Sequence, residues 1–189
     1  MRKKGAKAEL SAKTMSNSLK TKIRDIPDFP KAGIVFRDIT TLVQDHGAYR
    51  EALTLLHNHY RDWPIDLVAG IEARGFIFGG ALADRLNCGF VPVRKAGKLP
   101  AETVLERYDL EYGTAELEIH KDAIRPGDNV LIVDDLLATG GTLAAACKLV
   151  EKLGGSVFGV AVIVELTYLN GRKKLAGYDT FALVEYDSE

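Results

Sequence analysis

Cysteine is scarce in this chain of 189 residues: Cys88 and Cys147 are its two. They lack CxxC spacing and a neighbouring histidine, so they read as buried free thiols, a count that fits a cytoplasmic protein. Histidine is scarce too. His57 and His59 fall on different faces of a helix and form no i, i+4 metal pair, and no Ser-His-Asp or Cys-His arrangement emerges. Apolar runs are short as well. None approaches the length of a bilayer crossing, so no membrane partner is expected.

An excess of one charge is missing from the whole but present in the parts. Residues 1–22 hold seven Lys or Arg and one acid, Glu9, which leaves 18 basic against 25 acidic residues in 23–189. An acidic fold argues against a nucleic-acid groove spread over the surface. Any anionic ligand must be held by a local island of cations and backbone amides. Residues 1–22 themselves are Lys, Ser, Ala and Thr with almost nothing to bury, and are expected to form a disordered basic tail. They contain no apolar h-region, which excludes a secretory signal. A single domain is expected over 23–189.

Apolar segments alternate in type along that domain. Residues 49–60 carry apolar side chains at helical spacing. Short apolar strands are expected at 66–71, 89–93, 129–133, 157–164 and 181–184, with helices at 75–86 and 142–153 and a short one at 172–175. Continuous apolar strands alternating with helices predict an α/β fold, a parallel β-sheet core flanked by helices. Two strands at 103–108 and 115–120, joined around Glu111, Tyr112 and Gly113, interrupt the alternation and predict an inserted β-hairpin, with residues 99–121 a flexible lid. Before the first helix, the proline-rich run from Ile26 to Gly33 is expected to be stiff and turn-rich, and Val35-Phe36-Arg37-Asp38 a short extended piece.

The strongest chemical signal is Val130-Leu131-Ile132-Val133-Asp134-Asp135, followed by Leu136-Leu137-Ala138-Thr139-Gly140-Gly141-Thr142. Four apolar residues bring two carboxylates to the C-terminal edge of a buried strand, and a small glycine loop then opens a helix. Ligands of open parallel sheets bind at that edge. A helix N-terminus offers unpaired N–H groups to a phosphate, and glycines let backbone approach it closely. No lysine follows the glycines, so this is not a Walker loop. Paired acids beside a phosphate loop suit a sugar phosphate. Two cationic stretches fall at other strand ends: Arg74 within Glu72-Ala73-Arg74-Gly75, and Arg94, Lys95 and Lys98 within Arg94-Lys95-Ala96-Gly97-Lys98-Leu99-Pro100. The guanidinium of Arg74 is a bidentate donor suited to pyrophosphate.

The acid-pair and Thr-Gly-Gly-Thr run resembles the signature of the type I phosphoribosyltransferases. Phe29-Pro30-Lys31-Ala32-Gly33-Ile34-Val35-Phe36-Arg37-Asp38, the Arg94–Pro100 run, Leu110-Glu111-Tyr112-Gly113 and Val164-Glu165-Leu166 match the subfamily that takes adenine, and the likeness extends from about Ile23 to the C-terminus. The resemblance implies transfer of the phosphoribosyl group of phosphoribosyl pyrophosphate (PRPP) to adenine. It assigns Ala138, Thr139, Gly140, Gly141 and Thr142 to the 5-phosphate and Asp134 and Asp135 to the ribose hydroxyls. Arg74, Arg94, Lys95 and Lys98 would take the pyrophosphate. A short N-terminal hood over 23–45 is also implied: Val35 would read the adenine edge through its backbone with Arg37 assisting, and Phe36 and Leu166 would enclose the base. Glu111 would handle the proton at the base and Tyr112 would close over the sugar. Mg2+ would be held through the substrate, with no direct protein ligand, and a homodimer is implied.

Two other readings stay open from the residues alone. One is a phosphoribosyltransferase for another base, such as guanine or xanthine. The other is a regulator that kept the PRPP site and lost catalysis.

Overall fold

The computed structural model describes residues 18–109 and 113–188. Two compact units divide between Leu55 and Leu56.

In the first unit, β1 (Arg24–Ile26) and β2 (Phe36–Asp38) form an antiparallel pair in which Asp25 faces Arg37 and Arg24 faces Asp38. Both cross-strand pairs are ion pairs, Arg37 to Asp25 at 2.6 Å and Arg24 to Asp38 at 2.5 Å. The connecting turn has a cis Phe29–Pro30 bond and a left-handed Gly33, whose N–H donates to the Asp28 carboxylate at 2.8 Å. A five-residue helix, Thr40–Gln44, and most of the helix His46–Tyr60 follow. Residues 18–22, expected within a basic tail, belong to this unit. Residues 18–20 are helical, Leu19 is fully buried, Ser18 donates to Glu51 at 2.8 Å and Lys22 pairs with Asp45 at 2.6 Å. Residues 1–17 lie outside the described residues.

The second unit is a seven-stranded sheet of order β5-β6-β4-β3-β7-β8-β9. Its parallel part contains β3 (Leu67–Ile71), β4 (Gly89–Lys95), β7 (Asn129–Leu137), β8 (Ser156–Leu166) and β9 (Thr180–Tyr186). The central strands are buried on both faces, as their unbroken apolar runs require. The helix Gly75–Leu86 carries the chain from β3 to β4, and the helix Gly141–Lys152 carries it from β7 to β8. Because β3 and β7 are neighbours, these two crossovers run in opposite directions along the sheet. The crevice outside the carboxyl ends of β3 and β7 is therefore the topological switch point, where such sheets bind ligands.

Two expectations are corrected here. β7 does not stop at Val133 but continues through Asp134 and Asp135 to Leu137, with Asp134 facing Val162 of β8. Arg94 and Lys95 lie within β4 rather than beyond it. The hairpin of β5 (Thr103–Asp109) and β6 (Thr114–His120) is built into the sheet through pairing of Arg94 with Glu118 and Lys95 with Leu117. Leu117 and Ile119 are core residues, and Glu106 pairs with Lys148 at 3.2 Å and Lys152 at 2.6 Å. The paired strands of the 99–121 segment are thus part of the sheet. Glu111 and Tyr112 lie outside the described residues. Among those described, no helix is long and apolar enough to cross a membrane.

Candidate active site

A crevice of about 640 Å³ opens at the switch point. Its floor is the end of β7 and the following loop, Asp134 to Leu143. One wall is the β3 exit, Ile71 to Arg74, and the other is Lys95 with Tyr108, Ala115 and Leu117 of the hairpin. All five loop residues expected to bind phosphate line it.

The loop turns through Gly140, whose φ of +78° is left-handed backbone that favours glycine. The helix Gly141–Lys152 starts there with no side-chain cap, so the N–H groups of its first turn point at the crevice without a partner from a capping residue. Gly171, from a 3-10 turn (Gly171–Leu175), packs against the loop: a Cβ there would collide with the Ala138 carbonyl and lie 3.0 Å from the Gly140 nitrogen. Arg172 holds that turn in place, with its Nε 2.7 and 2.8 Å from the two carboxylate oxygens of buried Glu165 and its Nη1 donating to the Thr180 carbonyl at 2.7 Å.

A close approach also joins β3 to β7. A Cβ on Gly75 would stand 2.7 Å from the Val133 carbonyl and 3.1 Å from the Asp134 Cα. Its absence brings Arg74 beside the acid pair, with Nε 2.6 Å from Asp135 Oδ2. Both acids are buried. Burial pushes the Asp134 carboxyl well above the usual range, and the adjacent Asp135 carboxylate pushes it further. Burial raises Asp135 too, with Arg74 offsetting part of the rise. Asp134 Oδ1 accepts the Asp135 N–H at 2.8 Å.

The expected cation island is arranged differently from its appearance in sequence. Arg74 is engaged by Asp135. Arg94 is drawn away by Glu72, with Nε to Oε2 at 2.9 Å, and donates to the Lys98 carbonyl at 3.2 Å rather than lining the crevice. Lys95 lines it, its backbone N–H held by Glu72 Oε1 at 2.7 Å. Lys98 follows on the next turn, outside the crevice lining like Arg94, its N–H held by Glu118 Oε1 at 2.7 Å. Glu72, Glu118 and Gly171 organise this site and were not anticipated. Glu72 stood beside Arg74 in the motif, but a sequence marks a charge and not its partner. Glu118 was visible only as a polar position between two core residues.

Leu166 ends β8 and is 8% exposed. Val35, Phe36 and Arg37 belong to the first unit. Phe36 meets Phe29 edge to face at 5.3 Å, and Arg37 is buried in its pair with Asp25. Among the described residues no cluster of three or more His, Cys, Asp or Glu is disposed to hold a metal.

Comparison with known proteins gives concordant matches. The phosphoribosyl transferase domain family matches residues 38–183. The adenine phosphoribosyltransferase of Halothermothrix orenii is 56% identical over 167 residues, 88% of this chain and 98% of its own. The crystal structure of adenine phosphoribosyltransferase from Thermoanaerobacter pseudethanolicus superposes with a TM-score of 0.88 at 55% identity, over 90% of this chain and 99% of that one. The Saccharomyces cerevisiae adenine phosphoribosyltransferase, crystallised with an iminoaltritol bisphosphate and adenine, gives 0.84 at 42% identity over 90% and 99%.

Proposed function

The chain belongs to the phosphoribosyl transferase family, and on that premise we propose that it transfers the phosphoribosyl group of PRPP to N9 of adenine, giving AMP and pyrophosphate. The observation that carries this reading is the buried acid pair Asp134–Asp135 leading directly into an uncapped glycine loop at the switch point. The relatives whose names state adenine, and the yeast enzyme with adenine bound, support the choice of base.

Roles are assigned from the residues. Ala138 to Thr142 bind the 5-phosphate through the N–H groups of the loop and helix start, with the Thr139 and Thr142 hydroxyls adding donors. Asp134 and Asp135 accept from the ribose hydroxyls. Arg74, Lys95 and Lys98 meet the pyrophosphate, and Arg94 contributes by bracing Lys98. From the likeness of their motifs, Val35, Phe36, Arg37 and Leu166 are assigned to adenine. Pairing a backbone acceptor with the exocyclic amine would reject six-oxo purines, because these leave the acceptor unpaired.

Displacement at the anomeric carbon passes through a state with oxocarbenium character, as in glycoside chemistry. The protein holds the base and sugar in line, stabilises the departing pyrophosphate and excludes water. The donor set fits Mg2+ carried on the substrate. Two adjacent carboxylates, one committed to Arg74, do not make a protein cage, whereas Mg2+ favours phosphate oxygens and water. Bound in that way it would neutralise pyrophosphate charge. We assign proton handling at the base to Glu111 and closure over the sugar to Tyr112, from the likeness of their motif. The protein is also proposed to be a cytoplasmic homodimer.

The test is pyrophosphate release from PRPP and Mg2+ with adenine, hypoxanthine, guanine or xanthine added singly. Release with adenine alone is expected. Release only with another base would overturn the assignment of the base, and no release despite PRPP binding would favour a regulator. Glu111→Ala is expected to lower kcat by about a hundredfold, the scale of general acid–base assistance, with a smaller change in KM. Full turnover would remove Glu111 from proton transfer.

A further inference from the structure

Five acids are buried among the described residues: Asp38, Glu118, Asp134, Asp135 and Glu165. Four have their place explained. Asp38 pairs with Arg24 and Glu165 with Arg172, while Asp134 and Asp135 form the crevice floor. Glu118 is 3% exposed and is satisfied in another way. Its Oε1 accepts the backbone N–H groups of Lys98 and Leu99, both at 2.7 Å, and the Gly97 N–H and the Thr103 side chain add to the set. Gly97 has a φ of +80°, which curls the turn so that successive N–H groups converge on one point. Burial alone would raise the Glu118 carboxyl. The converging N–H groups outweigh it and hold the group below its ordinary value, so the carboxylate is ionised where a charge must have partners to persist.

The turn it grips carries Lys98, and Lys95 stands at the end of β4 just before it. Glu118 lies on β6 opposite Arg94, and its neighbour Leu117 lines the crevice. A backbone turn with a left-handed glycine and a solvated lysine would otherwise sample many conformations. Here it is pinned from inside the sheet by a group that never reaches the ligand.

We infer that Glu118 is a positioning residue for pyrophosphate: its carboxylate fixes the Gly97–Leu99 turn so that Lys98 meets the departing group. This inference rests on the assignment of Lys95 and Lys98 to pyrophosphate. Glu118→Ala is expected to raise KM for PRPP and the inhibition constant of inorganic pyrophosphate by about tenfold or more, with KM for adenine unchanged and kcat at saturating PRPP altered by less than about threefold. Glu118→Gln keeps Oε1, the atom that accepts from the Lys98 and Leu99 N–H groups, and is expected to recover most of the affinity. A merely structural role would lower the melting temperature and the active fraction without this split in KM values or this rescue.

Lys98→Ala separates the two levels of the argument. If it weakens pyrophosphate inhibition and Glu118→Ala does not, the positioning role is overturned and the assignment of the lysine survives. If neither variant weakens it, both fall. Should Glu118→Ala fail to fold, Gly97→Ala tests the same turn from the other side. Its Cβ would meet nothing within 4 Å, so only the backbone is strained. The same pyrophosphate-specific loss is expected, and unchanged KM for PRPP would overturn the inference.

Discussion

Gly171→Ala is expected to cost about a hundredfold in kcat/KM for PRPP, the scale of loss that a displacement near 1 Å produces in a preorganised site. The added Cβ would collide with the Ala138 carbonyl oxygen, stand 2.8 Å from Leu137 Cδ1 and 3.0 Å from the Gly140 nitrogen. Two of these three are backbone atoms of the phosphate loop, which cannot rotate aside as a side-chain tip does. Gly171 cannot retreat freely either, since Arg172 next to it is tied to Glu165 and to the Thr180 carbonyl. The loop therefore gives way, and its N–H groups lose their aim at the 5-phosphate. Initial rates against PRPP, with adenine saturating, measure the effect. Unchanged KM for PRPP would show that the loop holds its shape without this contact.

The second large effect is a trade between stability and binding. Asp134→Asn is expected to raise the melting temperature of the unliganded protein while weakening PRPP. Burial and Asp135 lift the Asp134 carboxyl well above its ordinary value of 3.8. Between that ordinary value and the raised folded value, the native state keeps a proton that the unfolded chain has released. Stability from this group is thus highest in acid, declines as pH rises through the window, and stays low above it. Asparagine has no such window and keeps an oxygen for the Asp135 N–H. The advantage of the variant should therefore grow with pH and then level off, each ~1 kcal/mol appearing as about 2–4 °C in Tm for a chain of this size. Hydroxyl donors of the sugar favour the ionised form, and a hydrogen bond to a charged group is worth ~1.5–3 kcal/mol. Loss of the charge should then weaken PRPP by about tenfold to a hundredfold. Calorimetric unfolding and PRPP titration across pH check both halves. A variant destabilised at neutral pH would refute the account.

Where apolar periodicity carried the information, the fold was legible. The strand around Val68 and Ala69 and the helix Gly75–Leu86 follow from it, because a buried strand and an amphipathic helix impose their period on side-chain choice. β7 was read too short for the same reason: Asp134 and Asp135 break the apolar run, yet their backbone goes on pairing with β8 as far as Leu137. Leu19 was missed because one leucine among Lys, Ser and Thr carries no period at all. The phosphate loop stood out from its residue types. The pairing of its surroundings did not, since Arg74 to Asp135 and Arg94 to Glu72 are contacts between distant segments that only the sheet order brings together. Glu118 shows the limit best, as its partners are backbone groups, which every sequence has everywhere.

The contact between Arg74 and Asp135 has a consequence for selectivity. Without ligand, the cationic and anionic halves of the crevice neutralise one another. A molecule that engages only the acid draws it away from the guanidinium, and one that engages only the guanidinium draws it away from the buried acid. With the roles proposed above, intact PRPP would offer hydroxyls to one and pyrophosphate to the other on a single frame. On those roles the pair would act as a coincidence check, favouring the activated sugar over a molecule that meets only one of the two groups.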